Sequence, residues 1–142
     1  MGRRALRKLD ERLDLSRHLY TLEQLAAPFD AAAMFGRRAP LEVEMGSGKG
    51  LFLSAAAATT PEHDFLGIEI AKKYAAHCAG RLVKRGVTNA AMLAGDGLRL
   101  FREFLTPASI EAVHVYFPDP WWKKRHAKRL VVQDGFVREL AR

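Results

Sequence analysis

The stretch LEVEMGSGKGLF, residues 41–52, carries the pattern that decides the fold. Leu41, Val43 and Met45 alternate with acidic residues, glycines then occupy every second position, and an apolar, alanine-rich run begins at Leu51. Alternation predicts a strand, the glycines predict a tight turn, and the run from Leu51 predicts a buried helix. We therefore expect a strand, a glycine turn and a helix in direct succession.

The same order of elements recurs downstream. Residues 64–70, DFLGIEI, predict a second strand, and residues 72–85 place apolar side chains at helical spacing. A third strand is expected at Ala90–Ala94 with a short helix after it, and a fourth over residues 110–117. Strands that alternate with helices in this way form right-handed crossovers and a parallel sheet covered on both faces. We predict an α/β, Rossmann-like domain whose readable sheet has about four strands.

The two ends of the chain add less regular segments. Residues 1–18 are basic and poorly periodic, which favours a solvated N-terminal arm, with an RNA-contacting arm as the alternative. Residues 19–142 form the predicted domain. Within it, apolar spacing from Tyr20 to Phe35 predicts a helix interrupted at Pro28, and residues 130–142 predict another helix.

Composition narrows the class of protein. The 142 residues carry a formal net charge of +7, so polyanionic partners are favoured, nucleic acid first and a membrane surface second. Cys78 is the single cysteine, which excludes an intrachain disulfide and a thiolate metal cage and fits a cytoplasmic protein. The five histidines show no ligand spacing, so no metal is predicted, and no segment is apolar over a membrane-spanning length.

Acidic and glycine residues stand at the predicted carboxyl ends of the strands, where open parallel sheets bind ligands. Gly46 and Gly48 belong to a GxGxG turn that matches neither the dinucleotide fingerprint nor a phosphate loop. Each feature has a plain alternative: a tight turn for the glycines, a solvated acid for Glu69, an Asp-Gly turn for Asp96. Together they describe a site for an adenosine without a pyrophosphate. This pattern predicts S-adenosylmethionine as cofactor, with Glu44 near its amino acid portion.

A second motif, PDPWW, follows the fourth predicted strand at residues 118–122. The prolines restrict the backbone on both sides of Asp119 and place this acid at the rim of the predicted cleft. The tryptophans either pack in the core or stack on a base. The cluster that follows is a predicted phosphate-facing stripe, with Lys123, Lys124, Arg125, Lys128 and Arg129 as its cations.

The stretches VEMGSGKG, FLGIEI, AGDG and FPDPWWKKRHAKR, in this order, resemble the bacterial tRNA (guanine-N7-)-methyltransferases. The resemblance implies transfer of a methyl group from S-adenosylmethionine to N7 of a guanine in the tRNA variable loop. It further implies that Asp119 is the active-site residue, that Lys123 binds substrate, and that residues 125–130, His126 included, contact RNA. The acids that it implies as cofactor contacts are Glu44, Glu69, Asp96 and Asp119.

The members of that family continue through further strands, so we expect a domain that is incomplete at its C-terminus, with the fourth strand at an exposed edge. Two other functions stay open at this point. One is an RNA-binding or S-adenosylmethionine-binding module without catalysis. The other is a base-amine methyltransferase, because Asp-Pro-Trp faintly resembles the motif of those enzymes. The sequence leaves the oligomeric state undetermined.

Overall fold

The computed structural model describes residues 6–116. Its strands are β1 (Leu19–Thr21), β2 (Leu41–Met45), β3 (Asp64–Glu69), β4 (Ala90–Ala94) and β5 (Ala112–Val115). Its helices are α1 (Ala31–Phe35), α2 (Leu51–Thr59), α3 (Lys72–Arg85) and α4 (Gly97–Arg99). A 3₁₀ turn spans Leu22–Gln24, and a π-helical turn, Leu100–Phe104, continues α4.

All five strands pair in parallel in the order β1-β4-β3-β2-β5. The chain moves outward from β2 through β3 to β4 and then returns to the other side of β2 as β5. The strand order therefore reverses between β2 and β5, which is where open α/β sheets form their ligand crevice. The predicted α/β fold is confirmed, and the fourth predicted strand, β5, lies at an edge among the described strands.

Two apolar clusters cover the two faces of the sheet. On one face, α2 and α3 pack Leu53, Cys78 and Leu82 against Phe65 and Met92. On the other, Leu100, Phe101 and Phe104 of the π-helical turn pack against side chains of β2, β3 and β4. The described helices thus shield both faces of the sheet, and α2 and α3 both begin at its carboxyl edge.

The helix predicted from Tyr20 to Phe35 is wrong. Residues Leu19–Thr21 pair with β4 instead, and the amide of Met92 donates to the His18 carbonyl at 2.7 Å. Helix α1 begins only after Asp30, whose side chain accepts the Ala32 amide, and it ends at Gly36. The apolar periodicity is real, but backbone pairing to a distant strand determines the structure here, and Pro28 has no amide to donate.

The basic N-terminal segment contacts the domain through its leucines. Leu15 packs against the cluster under α3, and the side chains of Leu9 and Leu13 approach Gly80. The prediction of a solvated arm is therefore wrong at these leucines. The boundary placed at residue 18 between arm and domain stays a prediction. Between residues 6 and 116 no helix has the length and apolar content to cross a bilayer.

Candidate functional site

The structure brings the predicted glycine turn and strand-end acids together at the carboxyl edge of the sheet. The Gly48 amide donates to Glu69 Oε1 at 3.1 Å, and the Gly95 amide donates to the Glu69 carbonyl at 3.0 Å. Glu69 thus touches both the turn after β2 and the turn after β4. The parallel sheet is the cause, because the carboxyl ends of neighbouring strands meet at one edge.

The three glycines of the turn have positive φ angles for different reasons. At Gly50, a Cβ atom would lie 2.1 Å from Cys78 Sγ, so this glycine lets α2 pack closely on α3. At Gly46 and Gly48 no atom of residues 6–116 lies within 4 Å of the Cβ position. The backbone there adopts a conformation that disfavours side chains and borders open space, which is the geometry that lets a ligand approach the main chain.

Glu44 is the buried acid of this edge, with only 5% of its surface exposed. Its Oε1 atom is buried and has no hydrogen-bond partner among the described residues. Burial raises its pKa to about 7; Ser47 lowers it by a hydrogen bond, and the negative charge of Glu69 raises it further. A buried carboxylate without a partner costs free energy, so the side chain is suited to accept a cationic donor from a ligand.

Glu69 and Asp96 hold their positions through backbone amides. Besides Gly48, Glu69 accepts the Ala71 amide on Oε2 at 2.9 Å, which fixes it at the start of α3. Asp96 is exposed, and its Oδ1 accepts the Leu98 amide at 3.0 Å as the N-cap of α4. A carboxylate offers about four acceptor positions, so both acids keep capacity for ligand donors.

Comparison with known proteins identifies the family. Residues 38–142 match the sequence model of the family described as "Putative methyltransferase". The chain belongs to this methyltransferase family. Its parallel sheet with helices is that of an α/β methyltransferase fold.

Individual relatives carry a more specific name. A protein of Rhodopirellula baltica named tRNA (guanine-N(7)-)-methyltransferase is 50% identical over all of this chain and 54% of its own length. Proteins of the same name from Paracidovorax citrulli and Methylococcus capsulatus are 40% and 41% identical over 87% and 80% of the chain. The chain spans about half the length of these curated relatives.

A large apolar side chain beside the candidate site is exposed and was not predicted from the sequence. Ile70 follows Glu69 directly and is 73% exposed, although it is a large apolar residue. An isolated exposed isoleucine has no stabilising role in the folded chain, but at a ligand site it offers an apolar wall. The signal was present in the sequence as an apolar residue immediately after a strand-end acid.

A polar network beside the place where the strand order reverses, between β2 and β5, was also not predicted from the sequence. The Glu42 carboxylate forms two hydrogen bonds of 2.7 Å each, one between Oε2 and His63 Nδ1 and one between Oε1 and His114 Nε2. The other nitrogen of His114 lies 2.9 Å from the Tyr116 hydroxyl, and the Phe52 ring packs on both rings at 4.8 and 4.6 Å. Two histidines therefore do contact a carboxylate. Within residues 6–116, no group of three or more acidic, histidine or cysteine side chains is arranged to hold a metal.

The remaining predicted site residues lie outside the described part of the methyltransferase. They are Asp119, Lys123, Lys124, Arg125, His126, Lys128 and Arg129. Their roles stay predictions. The last described residue, Tyr116, contacts His114 and Phe52.

Proposed function

We propose that this chain is the cofactor-binding part of an S-adenosylmethionine-dependent methyltransferase that methylates N7 of a guanine in the tRNA variable loop. The observation that carries the proposal is Glu44, a buried carboxylate beside the turn at Gly46 and Gly48, one of whose oxygens has no hydrogen-bond partner in the described part of the chain. The name that the relatives carry, tRNA (guanine-N(7)-)-methyltransferase, supports the reaction and the substrate. A cytoplasmic location accords with that substrate.

The described residues fit this cofactor on their own chemistry. Glu44 offers an acceptor to the ammonium of the amino acid portion, and the Gly46–Gly48 backbone lets that portion approach closely. Glu69 is suited to accept ribose hydroxyls, Asp96 the exocyclic amine of adenine, and Ile70 provides an apolar surface for the base. When bound, S-adenosylmethionine supplies an electrophilic methyl group on a sulfonium.

The proposed reaction needs orientation more than proton transfer. N7 of guanine carries an unshared electron pair and no proton, so its attack on the methyl carbon requires no general base. We assign Asp119 to orienting the guanine and complementing the positive charge that develops on its ring. Alignment of reactants provides at most about 7 to 11 kcal/mol of the lowering of the barrier. Residues Lys123 to Arg129 are the proposed RNA-binding segment.

The reaction is tested with unmodified tRNA and methyl-labelled S-adenosylmethionine, followed by chain cleavage at N7-methylguanine. Two samples are compared: this chain, and this chain joined to the C-terminal half of the Rhodopirellula relative. We expect label at N7 of a variable-loop guanine in the joined protein. Label on a base amine would favour an amine methyltransferase instead, and tRNA binding without label in either sample would favour a binding module.

Asp119→Ala tests the residue assignment in the joined protein. Because this acid is proposed to act on the bound guanine and not to hold the RNA, we expect methylation to be abolished while tRNA affinity changes little. Asp14→Ala, at an exposed acid of the N-terminal segment, is the control and should keep full activity. Full activity of Asp119→Ala would contradict the assignment.

A further inference from the structure

Helix α3 presents basic residues along one side. Its sequence, KKYAAHCAGRLVKR, contains no acid. Lys73, His77 and Lys84 are separated by four and seven residues, so they share a helical face, with Gly80 between them. At 1.5 Å per residue this row spans about 16 Å. The two lysines are exposed, and the histidine is half-buried.

The N-terminal segment lies against the same row. A Cβ atom at Gly80 would come within 2.7 Å of Leu9 Cδ1 and 3.6 Å of Leu13 Cδ1, so the missing side chain is what admits the two leucines. Their packing brings Arg7 and Lys8 to α3. A cavity of about 320 Å³ results, and its lining residues are Leu6, Arg7, Lys8, Leu9, Lys73, Ala76 and His77.

Among the described residues, the positive charges of this region are balanced only in part. Burial lowers the pKa of His77, and the charges of Arg81, Lys49 and Lys84 lower it further, so these cations lie close to the ring. Asp10, whose pKa is lowered mainly by hydrogen bonds from Arg12 and less by the charge of Lys84, is bound by Arg12 at 3.1 Å. Among the described residues, no acid forms an ion pair with Arg7, Lys8, Lys73 or Lys84. Repulsion of this kind is relieved when a polyanion binds.

We propose that this α3 cationic surface, formed by Arg7, Lys8, Lys73, His77 and Lys84, binds phosphate groups of the tRNA backbone. It is a second RNA contact, separate from the segment 123–129, and the identity of its partner rests on the proposed function. Flexible lysines contact phosphates as point charges and do not read bases, so this surface holds and orients the RNA without specifying sequence.

RNA fits this surface better than a membrane does. Binding to a bilayer surface couples basic residues with apolar side chains that insert between lipids. The large apolar residues that the described chain exposes are Leu51, Ile70 and Tyr116, and none belongs to the α3 cationic surface. The row also begins at Lys73, four residues after Glu69, so it starts beside the edge where the proposed cofactor lies.

The test is the salt dependence of tRNA binding to the 142-residue chain, parent against Lys73→Gln/Lys84→Gln. Each lost phosphate contact lowers the slope of log K against log salt by about 0.7 to 0.9, so we expect a slope smaller by about 1.5. The control is Arg38→Gln/Arg102→Gln, which removes the same charge from exposed positions away from α3. Its slope should stay within about 0.3 of the parent's, because long-range attraction alone is weakly affected by two distant charges.

A second readout is the pKa of the His77 imidazole, followed by NMR and assigned with His77→Gln. Neighbouring cations depress this pKa, so bound tRNA should raise it, and inorganic phosphate at matched ionic strength should raise it less.

Equal slopes for the lysine variant and its parent, or a parent chain that does not bind tRNA, would overturn the proposal. Equal effects of phosphate and tRNA on His77 would overturn the RNA assignment. The expected slopes without N7-methylation in the joined protein would instead contradict the proposed reaction.

Discussion

At the scale of single residues, Glu44 combines a stability cost with the binding role proposed for it. Its pKa rises from 4.5 to about 7 because the folded chain buries the carboxyl group. A group whose pKa is raised by folding contributes stability that is complete below pH 4.5 and is lost as the pH rises through 7. The difference corresponds to about 3 kcal/mol. Active sites commonly hold ionisable groups whose pKa is shifted by burial, and a ligand of opposite charge offsets the cost of burying the charged form.

Glu44→Gln tests this cost, because glutamine resembles the protonated carboxyl group. We expect the variant to exceed the parent in free energy of unfolding by up to about 3 kcal/mol at pH 8, and by nothing near pH 4.5. Urea unfolding at both pH values measures the difference. The same variant should bind S-adenosylmethionine more weakly, since it lacks the charge that pairs with the ammonium.

Glu62→Gln is the matched control, because it removes one negative charge at an exposed position. Its stability should follow the parent within about 0.5 kcal/mol at both pH values. A Glu44→Gln variant that is no more stable than the parent at pH 8 would contradict the buried, unpartnered state of the carboxylate.

At the scale of elements, α2 and α3 meet through one glycine and one thiol. Gly50→Ala places a Cβ atom 2.1 Å from Cys78 Sγ and keeps a residue at φ 78°. Gly86→Ala has a similar φ of 71° and open space around its Cβ position. We expect Gly86→Ala to lower the free energy of unfolding by about 1 kcal/mol through backbone strain. For Gly50→Ala we expect a further loss of about 1 to 3 kcal/mol, because its Cβ atom overlaps the core.

Urea unfolding of both variants measures the two losses, and Cys78→Ala provides the internal check. Removing Sγ should recover part of the excess loss of Gly50→Ala, because Cys78 Cβ, at 3.0 Å, still lies close. Equal losses for the two glycine variants would show that strain alone accounts for Gly50.

Burial also raises the pKa of the Cys78 thiol to about 12, so thiol reagents should label it only in unfolded chains.

The elements also show what a sequence can predict. Strand β2 follows from a period of two and helix α3 from a period of 3.6, and β2, β4 and α3 have the predicted bounds. The site acids Glu44, Glu69 and Asp96 follow from the rule that parallel strands share a carboxyl edge. Strand β1 was missed because its partner, β4, lies about 70 residues away, and pairing at that separation leaves no local pattern.

The contact between Glu42 and His114 was missed for the same reason. The two residues are 72 positions apart, and only the register of β2 with β5 brings them together. Periodicity predicts the face on which a side chain lies, but it does not predict which strand becomes its neighbour. The family was easier to predict than these contacts, because the resemblance rests on short motifs that can be read without knowing the order of the strands.

At the scale of the whole molecule, two acids on one face of β2 respond to pH in opposite directions. Burial acts to raise the pKa of Glu42, but hydrogen bonds from His114 and His63 outweigh it and leave the pKa below 4.5. Its stabilising contribution is therefore present above pH 4.5 and is lost as the pH falls through the folded pKa. Glu44 loses its contribution as the pH rises. Between them, these acids favour a stability maximum near pH 4.5 to 5.

Glu42 also connects three parts of the molecule, since it lies on β2, binds His114 of β5 and binds His63 of the loop before β3. We expect Glu42→Gln to cost about 1.5 to 3 kcal/mol at pH 7, the range for hydrogen bonds to charged groups. The cost should shrink below pH 4.5, where the parent carboxylate becomes protonated. Urea unfolding from pH 4 to 8 measures it as a difference from the parent, which cancels contributions of other titrating groups. Glu111→Gln, an exposed acid just before β5, should show no such dependence, and a pH-independent cost at Glu42 would contradict the charged network.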